Sequence, residues 1–261
     1  MPFPLPSSSV VSTMANDIPP NIVTELAPGG RLRAAINFGN GVLAQKDKAT
    51  GEPRGVTAAL SRELGRRLGV PVDFVAFDQA GKVFDALASG AWDIAFLAID
   101  PLRAAEINFT APYVVIEGKY LVPASSPVRS VADVDRDGLR IALARGSAYD
   151  LHLTRTLEHA TLVRAPDGID ALDMFLGDKL DVAAGVKQPI VAFAKAHPGL
   201  RVIEGRFMAI EQAMGTPKGR PEGARYLSRF VEEMKASGFV ARALAASGQA
   251  DAAVAPPSPA G

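Results

Sequence analysis

The chain has 261 residues, 48% of them hydrophobic, with 28 basic and 28 acidic side chains. That length holds one large domain or two small ones, and a zero net charge without any concentrated run of Lys and Arg argues against a nucleic-acid or anionic-membrane surface. The lack of cysteine excludes disulfides, Cys-ligated zinc and thiol nucleophiles, and no apolar run approaches the ~20 residues of a membrane-spanning helix.

Residues 1–29 are rich in Pro and Ser, and the first basic residue is Arg31. A secretory signal needs a basic start followed by an apolar run of roughly 7–15 residues, which this segment lacks. Either a signal was removed or the protein is not exported, and Met14, followed by Ala15-Asn16-Asp17, is an alternative start. The segment is expected to be extended or disordered.

From there strands and helices alternate. Leu32 to Ile36 is a short apolar strand, and Gly51 to Gly55 has the Gly and Pro of a turn. Leu60, Leu64 and Leu68 recur on one helix face, which Gly69 closes. Val72 to Phe77 is the next strand. Val83, Phe84 and Leu87 mark a helix ending near Gly90, and Ile94 to Ile99 reads as a strand buried on both faces. This β-α-β-α-β order predicts a parallel sheet flanked by helices.

The pattern restarts with an extended stretch from Tyr113 to Val122 and a polar connection from Pro123 to Asp137. Strands are expected at Leu139–Ala144, near Leu162, at Leu180–Ala184 and at Leu200–Ile203. Helices are expected at Ala148–His159, from Ile169 to a stop at Gly177, and at Pro189–Ala196. Two last helices, Tyr226–Met234 and Phe239–Ala246, are separated by Gly238, and the Ala/Pro-rich residues 250–261 are expected to be a disordered tail. Two successive α/β units imply two lobes.

Few motifs point to chemistry. Asp133-Val134-Asp135-Arg136-Asp137-Gly138 copies the start of a calcium loop, but the twelfth position, which should be a bidentate Glu, is Ala144. A solvated turn is the preferred reading, and no metal is expected. His152, His159 and His197 lack zinc-motif spacing. Gly39-Asn40-Gly41 lacks the third glycine of a dinucleotide loop, and no G-x-S-x-G nucleophile occurs. No cofactor is expected. Ser147, after Gly146, is in the position of a helix N-cap, which can also bind anions. Arg103 follows a buried strand and Asp100-Pro101. That is the carboxyl end of a parallel strand, where open α/β sheets place ligands. A guanidinium there either grips a carboxylate with two hydrogen bonds or forms a surface ion pair.

Four stretches between about Gly30 and Gly248 resemble the family-3 solute-binding proteins, the polar amino-acid receptors of bacterial ABC importers. The first runs from Leu32-Arg33 through Gly55 to the helix Thr57–Leu68 and Gly69-Val70. The second, Ala86-Leu87-Ala88-Ser89-Gly90-Ala91-Trp92-Asp93-Ile94, is like the family's AL-x-S-G-x-x-D. The third, Asp100-Pro101-Leu102-Arg103-Ala104 with Ile107-Asn108-Phe109-Thr110-Ala111-Pro112-Tyr113, is close to its TPER and V-x-F-S-x-P-Y signature. The fourth, Phe230 to Phe239 with Lys235-Ala236-Ser237-Gly238, is like its C-terminal helix pair.

The resemblance implies an α/β periplasmic-binding-protein type II fold. Each of its two lobes would be a mostly parallel sheet flanked by helices, and two hinge crossings near Val114–Lys119 and Met214–Gly219 would join them. Lobe 1 would comprise residues 30–116 and 217–249, and lobe 2 residues 117–216. A ligand would close the lobes upon itself, and ABC importer membrane subunits would sense closure. The implied protein is a periplasmic, monomeric receptor and not an enzyme. The alternatives are a cyclohexadienyl dehydratase-like enzyme and a stand-alone cytosolic binder.

By resemblance, Arg103 would hold a ligand carboxylate. Gly146-Ser147-Ala148 would stand for the family's G-T-T turn, with one hydroxyl lost. The family's ammonium-binding Asp would fall on Val186 or Lys187, and neither is a carboxylate. Asp181 matches a structural Asp. Stacking aromatics align with Asn40 and Ala80, and a Thr/Ser position with Ala98. The expected pocket therefore contains Arg103, Ser147, Gly146, Ala148, Ala98 and Lys187, with Asn37 and Asn40 as neutral hydrogen-bonders and Phe96 and Leu97 as an apolar wall. Arg145 is expected outside it. The expected ligand is a small carboxylate or dicarboxylate without a free α-amine.

Overall fold

The structure is a computed structural model and describes residues 18–259. The first part of the chain forms α1 (Pro20–Leu26), β1 (Leu32–Asn37), the hairpin β2 (Gln45–Lys46) and β3 (Pro53–Arg54), and α2 (Val56–Leu68). It continues through β4 (Val72–Phe77), α3 (Ala80–Asp85), β5 (Ala95–Ala98), α4 (Pro101–Ala104) and the 17-residue β6 (Ile107–Pro123). The second part forms β7 (Arg140–Ala144), α5 (Ala148–Thr156), β8 (Thr161–Ala165), α6 (Gly168–Gly177), β9 (Val182–Val186), α7 (Lys187–Ala196) and β10 (Leu200–Val202). β11 (Met208–Pro217), α8 (Pro221–Ala236), α9 (Phe239–Ala246) and β12 (Ala253–Val254) complete it.

The fold is α/β with two lobes, each built on three parallel strands. In the first lobe β4 pairs with β1, and a parallel bridge from Ala34 to Ile94 carries β1 to the start of β5. In the second, β8 and β9 flank β7. The long antiparallel pair β6 and β11 joins them: β11 lies against β5, and β6 against β9. One Asp–Arg device recurs at both parallel cores, buried at Asp93 and partly exposed at Asp181. Asp93 accepts from the backbone N–H and guanidinium of Arg33, and Asp181 accepts from the same groups of Arg140. Each carboxylate thereby ties the start of one core strand to the start of the next.

Local chemistry explains the element ends. Leu60, Leu64 and Leu68 are buried along α2, and Gly69 stops the helix at φ 70°, donating to the Arg66 and Gly65 carbonyls. α6 stops at Gly177 as expected, but the left-handed residue lies beyond it. Gly177 is its last residue, and the chain turns at Lys179, the one non-glycine with positive φ among the described residues. The calcium-like stretch is a pair of caps: Asp133 accepts from Arg129 and Ser130, while Asp135 accepts from the amides of Glu158, His159 and Ala160.

Three boundaries need correction. Part of the N-terminal segment is folded: α1 has Pro at its first turn, buries Ile22 and Leu26, and its Glu25 accepts from the Gly223 N–H at the start of α8. The alternative start at Met14 lies outside the described residues. Within the C-terminal tail, residues 250–259 are described and are tied to the fold. β12 pairs with Val114 and Val115 of β6, and Lys235 donates to the Pro256 carbonyl at 2.9 Å. The second crossing lies earlier than Met214–Gly219 and the boundary at 216, because Gln212 to Gly215 already pair with β5 of the first lobe.

Candidate functional site

The strand ends of both lobes face one another across a cleft of about 750 Å³, including its open mouth. Lobe 1 contributes Asn37 from the end of β1, Phe96, Leu97 and Ala98 from β5, and Arg103 from α4. The second lobe contributes Ala144, Arg145, Ser147, Ala148 and Tyr149 around the start of α5, and Val186 at the end of β9. Ile210 and Gln212 of β11 line the same cleft.

Arg103 is placed by the turn before it. Asp100 caps α4 by accepting from the Leu102 N–H at 2.9 Å, and Pro101 starts the helix. This turns Arg103 back under β5, where the residue is 1% exposed. Its guanidinium donates to the Ala98 carbonyl at 3.2 Å and, across the cleft, to the Gly146 carbonyl at 2.9 Å. It forms no ion pair among the described residues. Burial brings its pKa down to about 10, partly opposed by Asp100, so it remains a cation at neutral pH.

Opposite it, Ser147 caps α5 by accepting from the Asp150 N–H at 3.0 Å, and Asp150 accepts from the Gly146 N–H at 2.8 Å. The first-turn amides of Ala148 and Tyr149 have no acceptor within the protein among the described residues. A helix start with free amides therefore lies beside a buried guanidinium, an arrangement suited to an anion. Burial raises the Tyr149 phenol to about 12, so it stays neutral.

Asn37 and Asn40 use their carbonyl oxygens on the Gly39 and Val42 amides, leaving their NH₂ groups as donors. Phe96, Leu97, Ala98 and Ala148 form apolar wall, while Gly146 is not among the lining residues and its carbonyl accepts from Arg103. Lys187 is a correction: as the first residue of α7 it pairs with Glu117 of β6 at 3.3 Å and does not line the cleft. Val186 lines it instead, so the wall there is apolar. Arg145 also differs from expectation, lining the cleft with an exposed side chain that makes no hydrogen bond among the described residues.

Sequence reasoning missed Asp78, Gln79, Asp167, Tyr149 and Gln212, all of which line the cleft. Asp78 and Gln79 follow β4, and Asp167 follows β8. The rule that singled out Arg103, the carboxyl ends of parallel strands, also applies to them. Asp78 pairs with Lys82, and Asp167 caps α6 on the Ile169 and Asp170 amides.

Two contacts besides the Arg103–Gly146 bond hold the lobes together. Asp100 pairs with Arg155 of α5 at 2.7 Å. Gly81 of α3 meets Gly146 backbone to backbone, so closely that a Cβ on Gly146 would lie 3.1 Å from the Gly81 Cα.

Comparisons with known proteins agree with this architecture. The sequence profile of the Bacterial extracellular solute-binding proteins, family 3, matches residues 44–246. No curated protein sequence matches the chain. Among solved structures, the solute receptor for L-cysteine of Neisseria gonorrhoeae has a TM-score of 0.74 at 20% identity, covering 86% of this chain and 92% of that one. A mutant of ArgBP from T. maritima has a TM-score of 0.73 at 19% identity, covering 87% and 99%. An ancestral amino acid-binding protein, a precursor of cyclohexadienyl dehydratase, has a TM-score of 0.72 at 22% identity, covering 86% and 97%. At these identities the structures show the shared fold alone. The chain belongs to the family-3 extracellular solute-binding proteins.

Proposed function

We propose that this family-3 solute-binding protein is an extracytoplasmic receptor that closes around a small organic acid and delivers it to the membrane subunits of an ABC importer. It acts as a monomer in the periplasm. The observation that carries the reading is Arg103, a buried guanidinium met by two carbonyl oxygens and no carboxylate, inside a cleft between two lobes. A buried cation without a counter-charge is costly, and a ligand carboxylate relieves that cost. The free amides at the start of α5 and the Ser147 hydroxyl complete the carboxylate's surroundings. Asn37 and Asn40 hold the remainder of the ligand, against the wall of Phe96 and Leu97.

The apolar Val186 supports a ligand without a free α-amine, because an ammonium closed in against it would meet no carboxylate at that position. The same residue supports binding over dehydratase chemistry, which needs a carboxylic acid there to protonate a leaving hydroxyl. The test is a thermal-shift screen of wild type and Arg103→Ala against amino acids, dicarboxylates, keto acids and aromatic acids. A ligand at about 100 times its dissociation constant adds about 2.7 kcal/mol, which is visible as a raised Tm. A carboxylate that stabilises wild type and not Arg103→Ala is the expected result. Equal stabilisation of both proteins removes Arg103 from the reading.

A further inference from the structure

The second strand between the lobes carries a polar side chain that the carboxylate anchor does not use. Gln212 of β11 is 6% exposed and lines the cleft. Its amide makes no hydrogen bond among the described residues, although a side-chain amide has two donor hydrogens and an acceptor oxygen. Buried polar groups are almost always hydrogen-bonded. Its nitrogen and oxygen are not among the atoms sealed from solvent without a partner, a class that among the described residues holds only Tyr113 Oη and Gln188 Oε1. The unmet amide therefore opens onto the free space of the cleft.

The backbone explains its direction. The β11–β6 register shifts between Gln212 and Ala213, and such a bulge re-aims a side chain. On its other edge Gln212 stands directly opposite Ala98, whose carbonyl receives the Arg103 guanidinium. Directly opposed residues on neighbouring strands share one face, roughly 5 Å apart. Gln212 is thus placed beside the carboxylate anchor.

From this juxtaposition we infer that Gln212 is the second recognition group of the cleft. It selects a carboxylic acid bearing an uncharged oxygen, a hydroxyl or a carbonyl, next to the carboxylate, in preference to the matching amino acid. The amide N–H donates to that oxygen. An ammonium at the same place would meet the neutral amide oxygen, beside the Arg103 cation. The inference rests on the receptor reading above.

The experiment uses matched acids that differ only at the substituent: 2-oxoglutarate, 2-hydroxyglutarate, glutamate and glutarate, and 4-methyl-2-oxopentanoate, 2-hydroxy-4-methylpentanoate, leucine and 4-methylpentanoate. Calorimetric affinities are measured for wild type, Gln212→Leu, Gln212→Glu and Arg103→Ala, with unliganded melting curves to establish folding. Wild type is expected to favour the oxo or hydroxy acid by about tenfold over both the unsubstituted and the amino acid of its set, the span of one good hydrogen bond. Gln212→Leu should erase that preference while keeping affinity for the unsubstituted acid. Gln212→Glu should turn the preference toward the amino acid. A wild type that favours the amino acid, or a preference unchanged in Gln212→Leu, overturns the inference. If that happens while binding is lost in Arg103→Ala, the receptor reading survives. Failure of every acid to bind wild type overturns both.

Discussion

Replacing Gly146 by alanine separates the folding of the second lobe from closure of the cleft. Gly146 has φ +66°, in the left-handed region, which raises the energy of an L-residue by about 1 kcal/mol. That cost is local and applies whether the cleft is open or closed. The added Cβ would also lie 3.1 Å from the Gly81 Cα across the cleft. This second cost arises only where the lobes meet. Relieving it means parting the backbones by a few tenths of an ångström, for about 1–2 kcal/mol on the scale of overpacked contacts. Unliganded Gly146→Ala should therefore melt about 2–4 °C below wild type, and its ligand Kd should rise by about 5–30-fold. Gly81→Ala is the control, since its Cβ would lie 3.4 Å from the Gly146 Cα, an ordinary contact. Gly81 is also helical, where alanine is favoured by up to about 1 kcal/mol. Its Tm should be unchanged or raised, and its Kd should stay within about threefold of wild type. Calorimetry with the strongest ligand of the screen, alongside melting curves, reads both quantities. A Gly146→Ala protein that melts lower but binds as tightly as wild type would show that the two glycines do not meet in the liganded state.

The Asp100–Arg155 pair spans the lobes, and its arginine side chain is 45% exposed. Removing it in Arg155→Ala should cost up to about 1 kcal/mol of closure, about fivefold in Kd, and salt titration toward about 1 M should shrink the difference. A loss independent of salt would place the effect elsewhere. A chain ending at Gln249 loses β12, the burial of Ala252 and Ala255, and the Pro256 carbonyl on Lys235. It should be about 2 kcal/mol less stable by urea denaturation, and an unchanged midpoint would show that the tail contributes nothing. The Glu63 carboxyl is held down at about 2, mainly by its hydrogen bond to Arg66, with Arg67 assisting and burial opposing. A depressed carboxyl stabilises fully above its unfolded value of 4.5, and that stabilisation is lost as pH falls from there toward 2. Wild type should therefore lose about 1 kcal/mol more than Glu63→Gln between pH 6 and pH 3. Parallel losses in the two proteins would refute the assignment.

Elements whose formation is dictated locally were legible in the sequence. α2 shows its buried leucines at helical spacing and its glycine stop, and β5 shows four consecutive buried residues. The place of Arg103 in the cleft was legible because it follows the carboxyl end of a parallel strand, where open α/β sheets form their crevice. What depends on distant partners was not. β11 escaped notice because Met208–Pro217 mixes Glu211 and Gln212 with apolar residues, and its pairing with β6 joins segments about a hundred residues apart. The two ends read as Pro- and Ala-rich tails, yet α1 is fixed by Leu26 and Glu25 on α8, and β12 by backbone pairing with β6. Lys187 was a candidate because the resemblance put a cleft position at Val186 or at it, and the carboxylate that takes it, Glu117, lies on β6.

The electrostatics of the cleft and its closure are one problem. Asp100 is the charged neighbour that favours the Arg103 cation, but its own oxygens are engaged by the Leu102 N–H and by Arg155. Arg103 is left with two neutral carbonyls, one of them reached only across the cleft. Bringing the lobes together thus desolvates a cation while giving it a single neutral acceptor. An anion between the lobes changes that balance, because its attraction to the guanidinium strengthens as water leaves. A neutral compound of the same shape has no such differential affinity and cannot shift the equilibrium as far, since a ligand drives closure only by its preference for the closed state. If the cleft takes an organic acid as proposed, the negative charge of that ligand would couple binding to closure, and the neutral groups around it, Gln212, Asn37 and Asn40, would decide which acid is accepted.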